Sequence, residues 1–89
     1  AHLASANEAE LNAYGYLLVS QKKNSEALAI FIRNTKEHPD SWNVWDSLGE
    51  MYATMGDRKK AVANYEKALA MTTDPVQKTR INGILAGLK

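Results

Sequence analysis

Residues 45–52 read Trp45-Asp46-Ser47-Leu48-Gly49-Glu50-Met51-Tyr52, and residues 11–18 read Leu11-Asn12-Ala13-Tyr14-Gly15-Tyr16-Leu17-Leu18. The two stretches lie 34 residues apart (45 − 11) and carry glycine at the same place, Gly15 and Gly49. Sliding the whole chain by that interval puts Ala27 on Ala61, Ala29 on Ala63, Leu28 on Val62 and Phe31 on Tyr65, with Leu11 on Trp45 and Leu18 on Tyr52. No insertion is needed. The punctuation repeats as well, Lys22-Lys23-Asn24 aligning with Gly56-Asp57-Arg58. A self-match at such an interval marks a stacked array of small supersecondary units rather than a single irregular fold.

Outward from these stretches, the apolar residues keep helical spacing. Trp45, Leu48, Tyr52 and Met55 form one stripe, and Ala61, Val62, Tyr65, Ala68 and Leu69 form another; both read as amphipathic helices. Sustained alternation and clusters of β-branched residues are missing, so the chain reads as all helix. Asn7 or Ser5, with Glu10 or Glu8 three residues on, offers a capping box for the first helix. Asp40 or Ser41 after Pro39, Asp57 after Gly56, and Asp74 before Pro75 offer starts for three more. Helices are expected over 7–21, 24–37, 41–55, 58–71 and 75–88. Gly15 and Gly49 fall inside helices, where each costs about 1 kcal/mol relative to alanine. Their recurrence at one phase predicts a close approach of the paired helix, with Ala27 and Ala61 as the small residues across it and Leu11/Trp45 and Phe31/Tyr65 filling the space beside it.

Composition narrows the function classes. The 89 residues suffice for one small domain, 45% of them are apolar, and the 24% that are charged nearly cancel to a net +1. A nucleic-acid partner usually demands a clear basic excess, so none is expected. The chain has no cysteine, which leaves disulfides and thiol chemistry out. No apolar run approaches the roughly 20 residues that span a bilayer, and no membrane partner is expected. The opening residues lack a basic stretch followed by an apolar one, so no signal peptide is expected in this segment. A chain opening on Ala1 suggests a processed product or a piece of something longer. Cytoplasmic and exported locations stay equally open.

The set Trp45, Leu48-Gly49, Tyr52, Ala61, Tyr65 and Ala68 resembles the tetratricopeptide repeat in the spacing of its large, small and aromatic residues. The set Leu11, Tyr14-Gly15, Leu18, Ala27, Phe31 and Pro39 resembles it too. Asn34 stands where a small apolar residue is usual and Thr73 where the terminal proline would be, which implies looser local packing. The resemblance implies an all-α superhelix of two helix–turn–helix units, 8–41 and 42–75, with a capping helix at 75–88, all within one domain. The run from Asp40 to Met55 also looks like C-terminal repeat pairs attached to larger bacterial proteins, often exported ones.

By resemblance such modules are non-catalytic scaffolds whose first helices line a concave groove for a peptide or helix. That places Asn12, Tyr16, Asn43, Asp46 and Glu50 in the groove. Tyr16 offers an amphipathic contact and Asn43 hydrogen bonds for an extended peptide, while Asp46 and Glu50 favour a basic partner segment. One subgroup holds a terminal carboxylate with Lys, Asn and Arg; the matching places here are Asn12, Tyr16, Ser47, Gln77 and Ile81, and only Asn12 is chemically similar, so that mode is not expected. Repeat arrays generally need about three units. Two units and a cap therefore suggest packing on another domain of the parent protein, or association into a homo-oligomer.

The last helix has two registers. Continuing at 34 puts Gly83 under Gly49 but Thr79 and Asn82 at buried places; adding two residues, as the interval from Pro39 to Pro75 suggests, buries Ile81, Ile84 and Leu88 beside Leu85. The burial of large aliphatic chains, roughly 1.5–3 kcal/mol each, favours the second. Trp42 is expected to pack on the preceding helix near Phe31, with an exposed interface role as the alternative.

No constellation points to catalysis or a cofactor. His2 and His38 are the only histidines and have no ligand set beside them; His38 before Pro39 reads as a loop residue. Asp46, Ser41 and Ser47 make no triad without a histidine, and no paired carboxylates or phosphate-cradling glycines occur. Lys22, Lys23, Arg58, Lys59 and Lys60 gather on turns that stack along one edge; a solvated edge is favoured over a binding strip.

Overall fold

Asn7 opens the first helix through a complete capping box: its side chain accepts from the Glu10 amide at 2.9 Å, and its own amide donates to the Glu10 carboxylate at 3.0 Å. From there a computed structural model, described for residues 5–89, runs through five helices: α1 (Glu8–Ser20), α2 (Asn24–Glu37), α3 (Trp42–Thr54), α4 (Arg58–Met71) and α5 (Pro75–Leu88). Among the described residues no strand occurs and no helix is long and apolar enough to cross a membrane. His2 lies outside the described residues. The body measures 36 × 26 × 18 Å.

Local chemistry sets the remaining limits. Asp57 caps α4 by accepting from the Lys60 amide at 3.2 Å, and Asp74 caps α5 by accepting from the Val76 amide at 2.9 Å with Pro75 in the first turn. Ser41 occupies the N-cap of α3 without a capping bond; its hydroxyl donates instead to Glu8 at 2.8 Å and ties the start of α3 to the start of α1. The turns after α1 and α3 are the same motif. Lys23 N–H reaches back to Leu18 O and Lys22 N–H to Val19 O, as Asp57 N–H does to Tyr52 O and Gly56 N–H to Ala53 O. This is the paired Schellman closure, which needs a left-handed residue after the cap. Gly56 supplies it with φ +82° and Lys22 with φ +62°.

The helices form two antiparallel hairpins, α1–α2 and α3–α4, with α5 against α4. One core cluster joins Leu18, Ala27 and Phe31 of the first hairpin to Leu48 and Met51 of α3. The second joins Ala61, Tyr65 and Ala68 of α4 to Ile81 and Leu85 of α5, with Trp45 and Tyr52 half-buried against it. Helix α3 is therefore buried on two sides: Leu48 and Met51 face the first hairpin, Trp45 faces α4, and Tyr52 touches both clusters. A single stripe ending at Met55 does not describe it, since Met55 is exposed and Val44 is almost fully buried.

The repeated glycines do mark close approaches, but the surface across them is an aromatic ring rather than Ala27 or Ala61. A methyl group on Gly15 would lie 2.7 Å from two carbons of Phe31, and one on Gly49 3.0 Å from the nearest carbon of Tyr65. Asn34 is 1% exposed, and its amide donates to the Glu8 carbonyl at 3.1 Å, so a buried polar group serves as a strut to α1. Trp42 is half-buried and stands outside both core clusters.

Ile81 and Leu85 of α5 are buried, Ile84 and Leu88 half-buried, and Thr79 and Asn82 exposed, as the shifted register expects. They are buried, however, against the preceding helix. Ile81 and Leu85 stand 34 residues after Ser47 and Met51 (81 − 47, 85 − 51), which are likewise buried; Met51 packs into the cluster of the hairpin before it. The unshifted spacing thus accounts for the burial as well. Helix α5 packs chiefly on the preceding helix, and Gly83 faces open space.

Candidate protein-binding face

Helices α1 and α3 lie side by side and bring their polar residues together. Tyr16 donates to the Ser47 hydroxyl at 3.3 Å, and Ser47 donates to the Asn12 side-chain oxygen at 2.7 Å. Ser47 is 3% exposed, so its two bonds satisfy a hydroxyl that burial would otherwise penalise. Asn12 and Tyr16 are thus brought together, with Ser47 as the joint. Tyr16 also meets Phe31 edge to face at 5.0 Å, which fixes its ring while its edge stays open to solvent.

Asp46 has a partner inside the chain. Its carboxylate takes Arg80 of α5 at 2.8 Å, and Arg80 in turn donates through Nε to Gln77 at 2.8 Å. Asp46 and Arg80 are 34 residues apart (80 − 46). That equal phase was the available signal for the pair, and opposite charges at one phase of a repeat are worth testing for contact. Glu50 is exposed and enters no ion pair among the described residues. Asn43 is half-buried near the start of α3.

The electrostatics of this face show in its two tyrosines. Burial first, then the Glu50 carboxylate and Asp46, pushes the Tyr16 phenol up to about 12, with the Ser47 hydrogen bond pulling the other way. Tyr65, buried beneath the same face, is raised well above the ordinary tyrosine range by burial and then by Asp46, Glu50 and Tyr16, against Arg80. A phenolate is thus disfavoured at both places, by burial first and then by the Glu50 and Asp46 carboxylates.

Among the described residues no group of three His, Cys, Asp or Glu side chains gathers to hold a metal. His38 is the C-cap of α2, its amide bonded to Asn34 O at 2.9 Å. The chain is thus an array of antiparallel helical hairpins whose first helices, α1 and α3, share a polar face that includes Tyr16. Residues 43–75 match the tetratricopeptide repeat. That segment is similar to the tetratricopeptide repeat, and the chain as a whole is an all-α array of helical hairpins. Comparison with curated proteins gives no match. Such repeats generally mediate contacts between proteins and are typically not enzymes.

Proposed function

We propose that the chain is a non-catalytic interaction module, two units (8–41 and 42–75) closed by the helix at 75–88, that holds a peptide or helix of a partner protein in a groove along α1 and α3. Asn12, Tyr16, Asn43, Asp46 and Glu50 line that groove. The observation that carries this reading is the pairing of an exposed, uncompensated Glu50 with the half-open ring of Tyr16, itself held in place by Ser47 and Phe31. Asp46 is neutralised by Arg80 and contributes shape and rigidity more than charge. Glu50 is then the carboxylate left to meet a lysine or arginine of the partner.

The test uses a partner captured with the intact chain and identified, followed by titration calorimetry. Replacing Glu50 by Gln is expected to weaken binding about tenfold, the scale of one desolvated charge-assisted contact. Tyr16→Phe, which keeps the ring and removes the hydroxyl, separates packing from hydrogen bonding. Unchanged affinity in Glu50→Gln and Tyr16→Ala, both with wild-type circular dichroism, refutes the groove.

A second reading, a structural or regulatory appendage packing on its own larger parent protein or on a second copy, has one observation in its favour. Leu17 is 50% exposed at the place that Met51, 2% exposed, fills in the next hairpin (51 − 17 = 34). The outer flank of α1 thus carries an aliphatic side chain where the array elsewhere has a neighbour.

A further inference from the structure

A second feature is lined by none of the residues of the polar α1/α3 face. A cleft of about 410 Å³ lies between the start of α4 and the end of α5, lined by Arg58, Lys59, Val62, Leu88 and Lys89. Its floor is aliphatic: Val62 and Leu88 are half-buried, resting on the cluster of Ala61, Tyr65, Ala68, Ile81 and Leu85. Its rim is cationic. Lys89 is shared with Glu66 at 2.9 Å, and the neighbouring Lys60 is paired with Asp57 at 3.8 Å. Arg58 and Lys59 are exposed and pair with no acidic group among the described residues.

The placement of these cations runs against helix electrostatics. Arg58, Lys59 and Lys60 fill the first turn of α4, where the helix dipole presents its positive end, and that turn contains no acidic residue. Cations there are unfavourable, and Asp57 is the single local counterweight. An anion seated on the rim relieves the conflict, and an aliphatic side chain on the floor removes half-exposed Val62 and Leu88 from water. A bare polyphosphate meets the first need and leaves the second unmet.

We propose that this cleft is a second docking site, for an acidic protein segment that carries an aliphatic anchor. The carboxylates meet Arg58 and Lys59, and the anchor rests on Val62 and Leu88. The occupant differs in charge from that of the proposed α1/α3 groove, and, resting on that reading, one chain can join an acidic segment to a basic one.

The probe is a fluorescein-labelled synthetic peptide, Glu-Glu-Leu-Leu-Glu-Glu, titrated with the full chain by fluorescence anisotropy. A peptide with serine for both leucines and an oligouridine serve as competing probes. The leucine peptide is expected to bind at least about fivefold more tightly than the serine peptide, and the double variant Arg58→Glu, Lys59→Glu to weaken it about tenfold or more. That variant places acidic groups at a helix start and should melt no lower than wild type, so loss of binding is not loss of fold. The equal charge change Lys22→Glu, Lys23→Glu, at the other turn of the same edge, is expected to leave affinity within about twofold. Glu50→Gln should leave it unchanged, which separates this site from the groove. Equal binding of the serine peptide or of oligouridine, equal loss in the two double variants, or no detectable binding overturns the proposal.

Discussion

Gly15 and Gly49 occupy the same phase of the repeat, yet their tolerance differs by the distance to the ring above. A methyl on Gly15 must displace Phe31 from 2.7 Å, and one on Gly49 must shift Tyr65 from 3.0 Å. Alanine gains about 1 kcal/mol in helix propensity at either place, while overpacking costs about 1–3 kcal/mol. Gly15→Ala is therefore expected to destabilise by up to about 2 kcal/mol. Gly49→Ala should fall between it and wild type. Gly83→Ala, with nothing within 4 Å, should stabilise by about 0.5–1 kcal/mol. Urea unfolding ranks the three; a stabilised Gly15→Ala would contradict the packing described. The tyrosines give a second residue-scale expectation. Tyr16 keeps its proton up to about 12 in the fold against 10.0 ordinarily, and Tyr65 is raised further. The unfolded chain loses these protons first, so the stability they contribute is complete below pH 10.0 and is lost as pH rises toward about 12. Denaturant melts across that interval should show the decline, and Tyr16→Phe with Tyr65→Phe should flatten it.

At the scale of elements, the two intra-hairpin turns are one motif built from different residues. Lys22 holds φ +62° where Gly56 holds φ +82°, and a non-glycine residue pays about 1–2 kcal/mol for a left-handed backbone. Lys22→Gly is expected to raise stability by up to about 1 kcal/mol after the entropy of glycine in the unfolded chain is offset, measurable as a higher melting temperature. Helix limits were legible because Asn7, Asp57 and Asp74 act through neighbours two or three residues away. Ser41 misled on mechanism because its hydroxyl goes to Glu8, a contact with no local signature. Val44 and Met51 escaped the stripe because periodicity describes a helix with one buried side, and α3 has two. The candidate face was legible as a set of positions on α1 and α3. Its wiring was not: the Asn12–Ser47–Tyr16 chain and the Asp46–Arg80 pair join residues more than 30 positions apart, and only stacking geometry brings them into contact.

For the whole molecule, α5 buries Ile81 and Leu85 on Ala61, Tyr65 and Ala68. Two large aliphatic chains at roughly 1.5–3 kcal/mol each represent much of the stability of a small domain, about 5–15 kcal/mol. Ending the chain at Thr73 is expected to abolish cooperative thermal unfolding at ordinary temperatures, as followed by circular dichroism at 222 nm. Retention of a sharp transition would show that the first four helices suffice. The contacts between helices run almost wholly between chain neighbours, α1 with α2, α2 with α3, α3 with α4 and α4 with α5, and α1 touches α3 lightly. This arrangement has a consequence in time. No distant strand or helix must be found before the first contacts hold, so ordering can start in either hairpin and spread along the chain, on the microsecond-to-millisecond scale typical of local topologies. Opening should run the same course in reverse. Amide hydrogens of α3, flanked on two sides, should exchange last, and those of α1 and α5, each with an open flank, first.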